Sequence, residues 1–310
     1  MDVYSSYLKI SKRDLEKRIE KLFRILENCE ICPRRCHINR TKNERGICKL
    51  GLLPMVSSYS PHFGEERQLV GAHGSGTIFF TSCNLSCVYC QNYEISQLRR
   101  GAEISFERLA EMMIDLQNMG CHNINLVTPS PQVAQIVKAL PIAIGMGLKI
   151  PLVYNTGSYD SVETLKLLDG IVDIYLPDAK YSDDDIALKY SHCPHYFETM
   201  KAAIKEMYKQ VGNLKVADSE TKAPGIPKGV AILGVMVRHL VLPDDLAGSE
   251  KIFEFMAREI SKDIFINIMD QYRPCYRAFE YSHLSRQITD EEYKKAVKLA
   301  EKVGLKLKNG

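Results

Sequence analysis

Apolar and polar positions follow two rhythms along this chain, and the change between them falls near Gly76. Early on, Leu15, Ile19, Leu22, Phe23 and Leu26 recur at helical spacing, with Arg, Lys and Glu filling the other face. This predicts a helix within residues 1–28 that docks on a larger body. The next stretch, Cys29 to Gly51, is rich in Cys, Pro, Arg and Asn and too poor in apolar residues to build its own core. From Gly76 onward, β-rich apolar runs appear at Thr77–Phe80, Ile124–Val127, Ile150–Tyr154, Ile171–Leu176, Val230–Val237 and Ile264–Ile268. Helical patterns separate them. Ser105 is placed to cap a helix ending near Gly120, Ser161–Leu168 and Glu250–Ile260 read as helices, and Thr289 with Glu292 forms a capping box. Residues 182–228 are the least patterned, with one helix near Tyr196–Tyr208 and a polar loop after it. Strands alternating with helices imply a parallel sheet in an α/β fold. Right-handed crossovers allow an open doubly wound sheet or a curved partial barrel, and periodicity does not separate the two. The expected organisation is a docking helix (1–28), a cysteine-rich metal-binding segment and linker (29–75), and one α/β domain (76–310).

Composition narrows the class. With 45% apolar and 25% charged residues in 310, the chain is an ordered globular protein. A net charge of +3 is too small to point to nucleic acid or a membrane surface. The most apolar stretch, Val133 to Pro151, is broken by Pro141, Gly145, Gly147 and two lysines, so no span of a bilayer is expected. The charged start lacks the apolar centre of a signal peptide, and a cytoplasmic location is expected. There are ten cysteines, seven of them in two compact sets: Cys29/Cys32/Cys36/Cys48 and Cys83/Cys87/Cys90. In a reducing compartment such grouping means metal or redox chemistry more often than disulfides.

The second set follows the first predicted strand of the α/β domain, in the loop Thr81-Ser82-Cys83-Asn84-Leu85-Ser86-Cys87-Val88-Tyr89-Cys90. Loops at the carboxyl ends of strands are where α/β folds place their chemistry. Three thiolates at C-x3-C-x2-C can hold three irons of a 4Fe–4S cube, and no fourth cysteine follows nearby. The fourth iron then keeps an open coordination position. A zinc knuckle borrowing a histidine and three buried thiols are the alternatives. The spacing differs from paired C-x2-C zinc sites, and neither Tyr89 nor Asn92 is a zinc ligand.

C-x3-C-x-aromatic-C, with Tyr89 as the aromatic, resembles the radical S-adenosylmethionine (SAM) superfamily. The longer string Gly76–Leu85, with Gln91-Asn92-Tyr93 after the cysteines, resembles PflX-like proteins, relatives of the pyruvate formate-lyase activating enzymes. The resemblance runs from Cys29 to about Arg277. It implies a partial (β/α)6 barrel over residues 76–310. It also implies SAM chelated to the unique iron, and one-electron cleavage to methionine and a 5′-deoxyadenosyl radical that abstracts hydrogen. Tyr89 is implied as an adenine neighbour. Where most of the superfamily has Gly-Gly-Glu, this chain has Thr128-Pro129-Ser130-Pro131, leaving Thr128 as the polar atom at that strand end. Asn155 in Tyr154-Asn155-Thr156-Gly157, Asp178 and Lys180 in an Asp-x-Lys run, and Arg238 in Val237-Arg238-His239 complete the implied SAM contacts. Asp270–Pro274 would close the open side of the mouth. The implied partners are a low-potential electron donor of the ferredoxin or flavodoxin kind and a protein substrate with a glycyl loop.

Cys29, Cys32, Cys36 and Cys48 supply four soft ligands in a segment that would gain folding energy from metal. Zinc and a second 4Fe–4S cluster both fit, and His37 could replace one ligand. The lone Cys121, Cys193 and Cys275 read as small buried residues. Three functions remain open: activation of a glycyl-radical enzyme, radical SAM modification of another protein or metabolite, and an iron–sulfur electron carrier or sensor without SAM turnover. P-loop, dinucleotide and H-E-x-x-H motifs are absent from the sequence.

Overall fold

The computed structural model describes residues 5–219 and 226–307. Its strands are β1 (Met55–His62), β2 (Ser75–Phe80), β3 (Ala102–Glu103), β4 (Ile124–Val127), β5 (Leu152–Thr156), β6 (Ile174–Pro177), β7 (Lys215–Val216), β8 (Ala231–Leu240) and β9 (Phe265–Met269). The helices are α1 (Lys12–Glu27), α2 (Arg67–Val70), α3 (Tyr93–Ser96), α4 (Phe106–Asn118), α5 (Val133–Gly145), α6 (Val162–Lys166), α7 (Asp184–Ser191), α8 (Tyr196–Val211), α9 (Ser249–Phe255) and α10 (Asp290–Lys302).

All six expected strands form, as β2, β4, β5, β6, β8 and β9, and each pairs in parallel with the next. Their short buried runs suit a sheet covered on both faces. Among the described residues no ladder joins β9 back to β2, so the sheet is a partial (β/α)6 barrel. Ser105 caps α4 by accepting from the Arg108 N–H, and the Thr289/Glu292 capping box is present at α10. The helix expected over Glu250–Ile260 runs as α9 and then one π-helical turn, Met256–Ile260. Among the described residues, no helix is long and apolar enough to cross a membrane.

Part of the stretch read as linker belongs to the sheet. β1 pairs antiparallel with β2, Tyr59 opposite Ile78 and His62 opposite Ser75. Its sequence, Met-Val-Ser-Ser-Tyr-Ser-Pro-His, lies toward the sheet margin, beside only the two-residue β3, and carries too few apolar residues to announce a strand. The chain then turns under the barrel, where Leu69 of α2 packs with Val153, Ile174, Leu176, Met236 and Phe265. The Asn123 side chain donates to the Leu69 carbonyl at 2.9 Å and fixes this plug.

Helix α1 buries Leu15, Ile19, Leu22 and Leu26, the face its periodicity predicts. Its root is tied to the amino-terminal ends of β5 and β6. The Ser6 N–H donates to Asp173 at 2.7 Å, and Tyr7 Oη donates to the Ile150 carbonyl at 2.8 Å. Sixteen residues at about 1.5 Å each give about 24 Å of helix. That length carries Cys29 to the opposite end of the barrel.

Because Leu69 is fully buried among barrel side chains, Leu69→Ala should cost about 3 kcal/mol. Urea unfolding of the full chain measures this, and a change below about 1 kcal/mol would show that the plug does not close the core.

Candidate active site

The polypeptide leaves β2 at Phe80 and enters the cysteine loop through Ser82, whose backbone is left-handed (φ 70°). Thr128 after β4 and Ser158 after β5 share that conformation, both at φ 62°. Non-glycine residues held there store strain, and strain of this kind collects at functional sites. The hydroxyls of Thr81, Ser82 and Ser158 are buried with no hydrogen-bond partner.

The loop is tightly anchored. The Ser86 and Val88 N–H groups donate to the carbonyls of Ser191 and Tyr190, and the Arg277 N–H donates to the Val88 carbonyl at 2.8 Å. The Asn84 side chain donates to the Tyr159 carbonyl. A Cβ at Gly157 would sit 2.7 Å from the Leu85 Cδ1 methyl, so β5's end closes directly on the loop there.

Donors also point at the sulfurs. Cys83 Sγ accepts from the Leu85 N–H at 3.3 Å, Cys87 Sγ from Ser191 Oγ at 3.0 Å, and Cys90 Sγ faces Ser96 Oγ at 3.2 Å and the Asn92 N–H. Burial, with the neighbouring thiols adding to it, pushes Cys83 up and Cys90 up to about 11. Metal-free, these thiols hold their protons; a bound cation would make thiolates of them. Among the described residues no three His, Cys, Asp or Glu side chains converge on a point for a single metal ion. A 4Fe–4S cube does not ask for one shared point, since each cysteine there binds its own iron.

A cavity of about 260 Å³ lies beside this loop. Cys87, Tyr89 and Cys90 line one side, and Asp178, Lys180 and Arg238 line another. The Arg238 side chain is committed on three sides. Nε donates to Asp178 at 2.8 Å, Nη1 to Glu65 at 3.2 Å, and Nη2 to Asn155 Oδ1 at 2.6 Å. Lys180 Nζ donates to the other Asp178 oxygen at 2.7 Å. Burial opposes the Asp178 charge, but Arg238 and Lys180 outweigh it and hold the carboxyl below its usual range. Burial likewise opposes the Lys180 charge, and Asp178 and Cys87 reverse the effect, raising it. Lys180 is thus a fixed cation between a carboxylate and Cys87.

The structure therefore brings Tyr89, Asp178, Lys180 and Arg238 to one cavity with Cys87 and Cys90. Tyr89 packs edge-on against Tyr181 and Tyr272, with centroids 6.4 and 5.9 Å apart. Asn155 reaches the site through Arg238. Thr128 is not among the cavity residues; its N–H donates to the Asn155 carbonyl at 2.9 Å. His239 is fully buried, bonded to the Ala179 carbonyl and Ser249, and burial lowers it to about 4, so it is neutral. In the Asp270–Pro274 segment, the Gln271 carbonyl accepts from Gln91 at 3.3 Å, and Tyr272 Oη donates to the Leu284 carbonyl.

Sequence reasoning missed Glu65. It follows β1, enters the barrel from below, and its Oε1 accepts from Asn125 at 3.1 Å and from Asn155 at 3.4 Å. The available signal was the row of polar residues inside otherwise apolar strands, Asn125, Asn155, Arg238 and Asn267, which need a buried partner.

The fold thus sets three loop thiols and a charged cavity together at the carboxyl end of a parallel partial barrel. The family model of the radical SAM superfamily matches residues 77–221. An uncharacterized protein of Methanocaldococcus jannaschii, MJ0674, is 35% identical over 97% of this chain and 82% of its own length. The chain carries a radical SAM superfamily domain, and that domain implies a 4Fe–4S cluster and SAM. Two solved structures are more distant. They are the FeFe-hydrogenase maturase HydG from Carboxydothermus hydrogenoformans (11% identity, TM-score 0.46, 72% of this chain and 49% of that one) and native anSMEcpe with bound AdoMet (14%, 0.47, 72% and 57%). This chain spans about half the length of these two structures.

Asp178 pairs with two half-buried cations at once. Asp178→Asn should cost about 2 kcal/mol at pH 7, because Lys180 loses its carboxylate and Arg238 is left with Glu65 alone. The penalty should shrink as the pH falls from the ordinary aspartate range toward the depressed one of Asp178, because the unfolded parent takes up the proton first. Paired urea titrations at pH 7 and pH 3 on the metal-free chain measure the difference; an equal cost at both would rule out the charge argument.

Proposed function

We propose that this chain is an activating-type radical SAM oxidoreductase that abstracts hydrogen from a backbone glycine in a loop of a partner protein. The observation that carries the reading is the cavity where Asp178, Lys180 and Arg238 face Cys87, Cys90 and Tyr89. The Asp-x-Lys run and the arginine are the features the chain shares with activating enzymes, and they meet the thiols in one place.

Bound together, cluster and SAM supply a one-electron cleavage of the S–C5′ bond, giving methionine and a 5′-deoxyadenosyl radical. The protein's part is positioning and exclusion of water. Lys180 offers N–H donors beyond the one given to Asp178, suited to a carboxylate of the bound co-substrate. Asp178 fixes Lys180, and Arg238 in turn fixes Asp178 while drawing Glu65 and Asn155 into the floor. Tyr89, wedged between Tyr181 and Tyr272, presents a rigid aromatic wall. The segment at Gln271 and Tyr272 covers the side that no strand closes. In this reading the enzyme works in the cytoplasm with a ferredoxin- or flavodoxin-class donor. The first thiol set holds a metal as well, either zinc or a second cluster.

Anaerobic reconstitution, followed by EPR of the reduced protein with and without SAM, tests the class. A SAM-perturbed signal and 5′-deoxyadenosine release are expected from the parent protein, and both should fall to background in Cys83→Ala. Deuterium should pass from a glycine-labelled loop peptide into 5′-deoxyadenosine. Cleavage without that transfer would leave another protein or metabolite as substrate. A cluster indifferent to SAM would leave an electron carrier.

A further inference from the structure

Helix α1 ends at Glu27 and delivers Cys29, Cys32, Cys36 and Cys48 to the mouth of the barrel. Cys29, Cys32 and Cys48 are buried and Cys36 half-buried, and Cys32 is electrostatically coupled to the other three. His37 takes no part: it is exposed, with Nδ1 3.3 Å from a Glu30 oxygen. The Ile31 N–H points at the Cys29 sulfur and the Arg34 N–H at the Cys32 sulfur. This is the same i+2 arrangement that Leu85 makes with Cys83 and Asn92 with Cys90. Two loops unrelated in sequence thus prepare their sulfurs in the same way. A Cβ at Gly46 would lie 2.9 Å from Cys36 Sγ, so the backbone before Cys48 closes directly on that thiol.

Charge gives an independent sign. Arg40 is completely buried. Its guanidinium donates to the Pro131 carbonyl at 2.6 Å and to the Gly51 carbonyl at 3.1 and 3.3 Å. Among the described residues these carbonyls and Cys29 are its partners, and none is a carboxylate. A buried cation without an anion is costly. Four neutral thiols do not supply that anion. Four thiolates on a metal centre carry net negative charge and do.

The kind of centre follows from backbone donors and place. Zinc needs its four ligands at about 2.3 Å from one point. The N–H groups aimed at Cys29 and Cys32 instead repeat those aimed at Cys83 and Cys90, where each cysteine is read as the ligand of its own iron. The two sets also touch. Arg34, two residues from Cys32, donates from Nε to the Asn84 carbonyl at 2.7 Å, beside Cys83, and lies over the Tyr159 ring at 5.4 Å.

We infer that Cys29, Cys32, Cys36 and Cys48 bind a second iron–sulfur cube, fully ligated by protein, charge-balanced by Arg40 and seated against the catalytic loop through Arg34. This deepens the reading that the first thiol set binds metal, and rests on it.

The test uses the reconstituted full chain in which Cys83→Ala, Cys87→Ala and Cys90→Ala are combined. It should keep about four irons and four sulfides, half the parent's content, and show a reducible EPR signal that SAM leaves unchanged. Restoring the three cysteines and changing Cys36→Ala with Cys48→Ala should remove that half and leave the SAM-sensitive signal. One zinc per chain and no iron in the triple variant would overturn the cube but keep the metal site. No metal in a triple variant with parent-like circular dichroism would overturn both.

Discussion

Everything at the centre of this barrel is organised by one half-buried guanidinium. Arg238 draws β5, β6, β8 and the chain beneath the barrel to a common point through Asn155, Asp178 and Glu65. A charge in that position is tolerable only when each donor has a partner, so the four segments cannot shift independently. Lys180 is then set by Asp178 rather than by solvent. Two cations and two carboxylates cancel, which leaves a polar but near-neutral wall opposite the thiols. Preorganisation of this kind lets a charged co-substrate be oriented without rearranging water.

The same accounting explains the mouth. Buried thiols packed near one another resist ionisation, and burial is the largest cause at Cys83 and Cys90 alike. Backbone N–H groups aimed at the sulfurs favour the thiolate but do not overcome burial alone. A bound metal cation would make thiolates of these cysteines, and the left-handed turn at Ser82 and the anchoring by Ser191, Tyr190 and Arg277 fix where their sulfurs sit.

How far the sequence revealed this depended on range. Strands and their helices are local, so all six barrel strands were legible from short β-rich runs. The cysteine loop was legible because its ligands are seven residues apart at most. β1 was not, because a polar strand near the sheet margin carries a weak pattern. α7 was hidden in a stretch of mixed polar and small residues, although Asp183 caps it. Glu65 was the real omission. Its partner Arg238 is 173 positions away, and no local rule links a carboxylate after a margin strand to a barrel arginine. Arg40 escaped for the same reason: a lone arginine in a basic, cysteine-rich stretch reads as surface until Pro131 and Gly51 are seen around it.

The N-terminal segment then ceases to look like an appendage. α1 is pinned at the bottom of the barrel by Asp173 and Ile150, and its product at the top is pinned by Asn84, Pro131 and Thr164, whose hydroxyl donates to the Ile31 carbonyl at 2.9 Å. A segment too poor in apolar residues to fold alone is thereby held at both ends by the barrel. In return it supplies Arg34, which bonds the carbonyl beside the first cluster cysteine. Disturbing the first thiol set therefore acts on Cys83 through a single hydrogen bond and a few covalent ones. The two thiol sites are parts of one structure, coupled by geometry before any electron is considered.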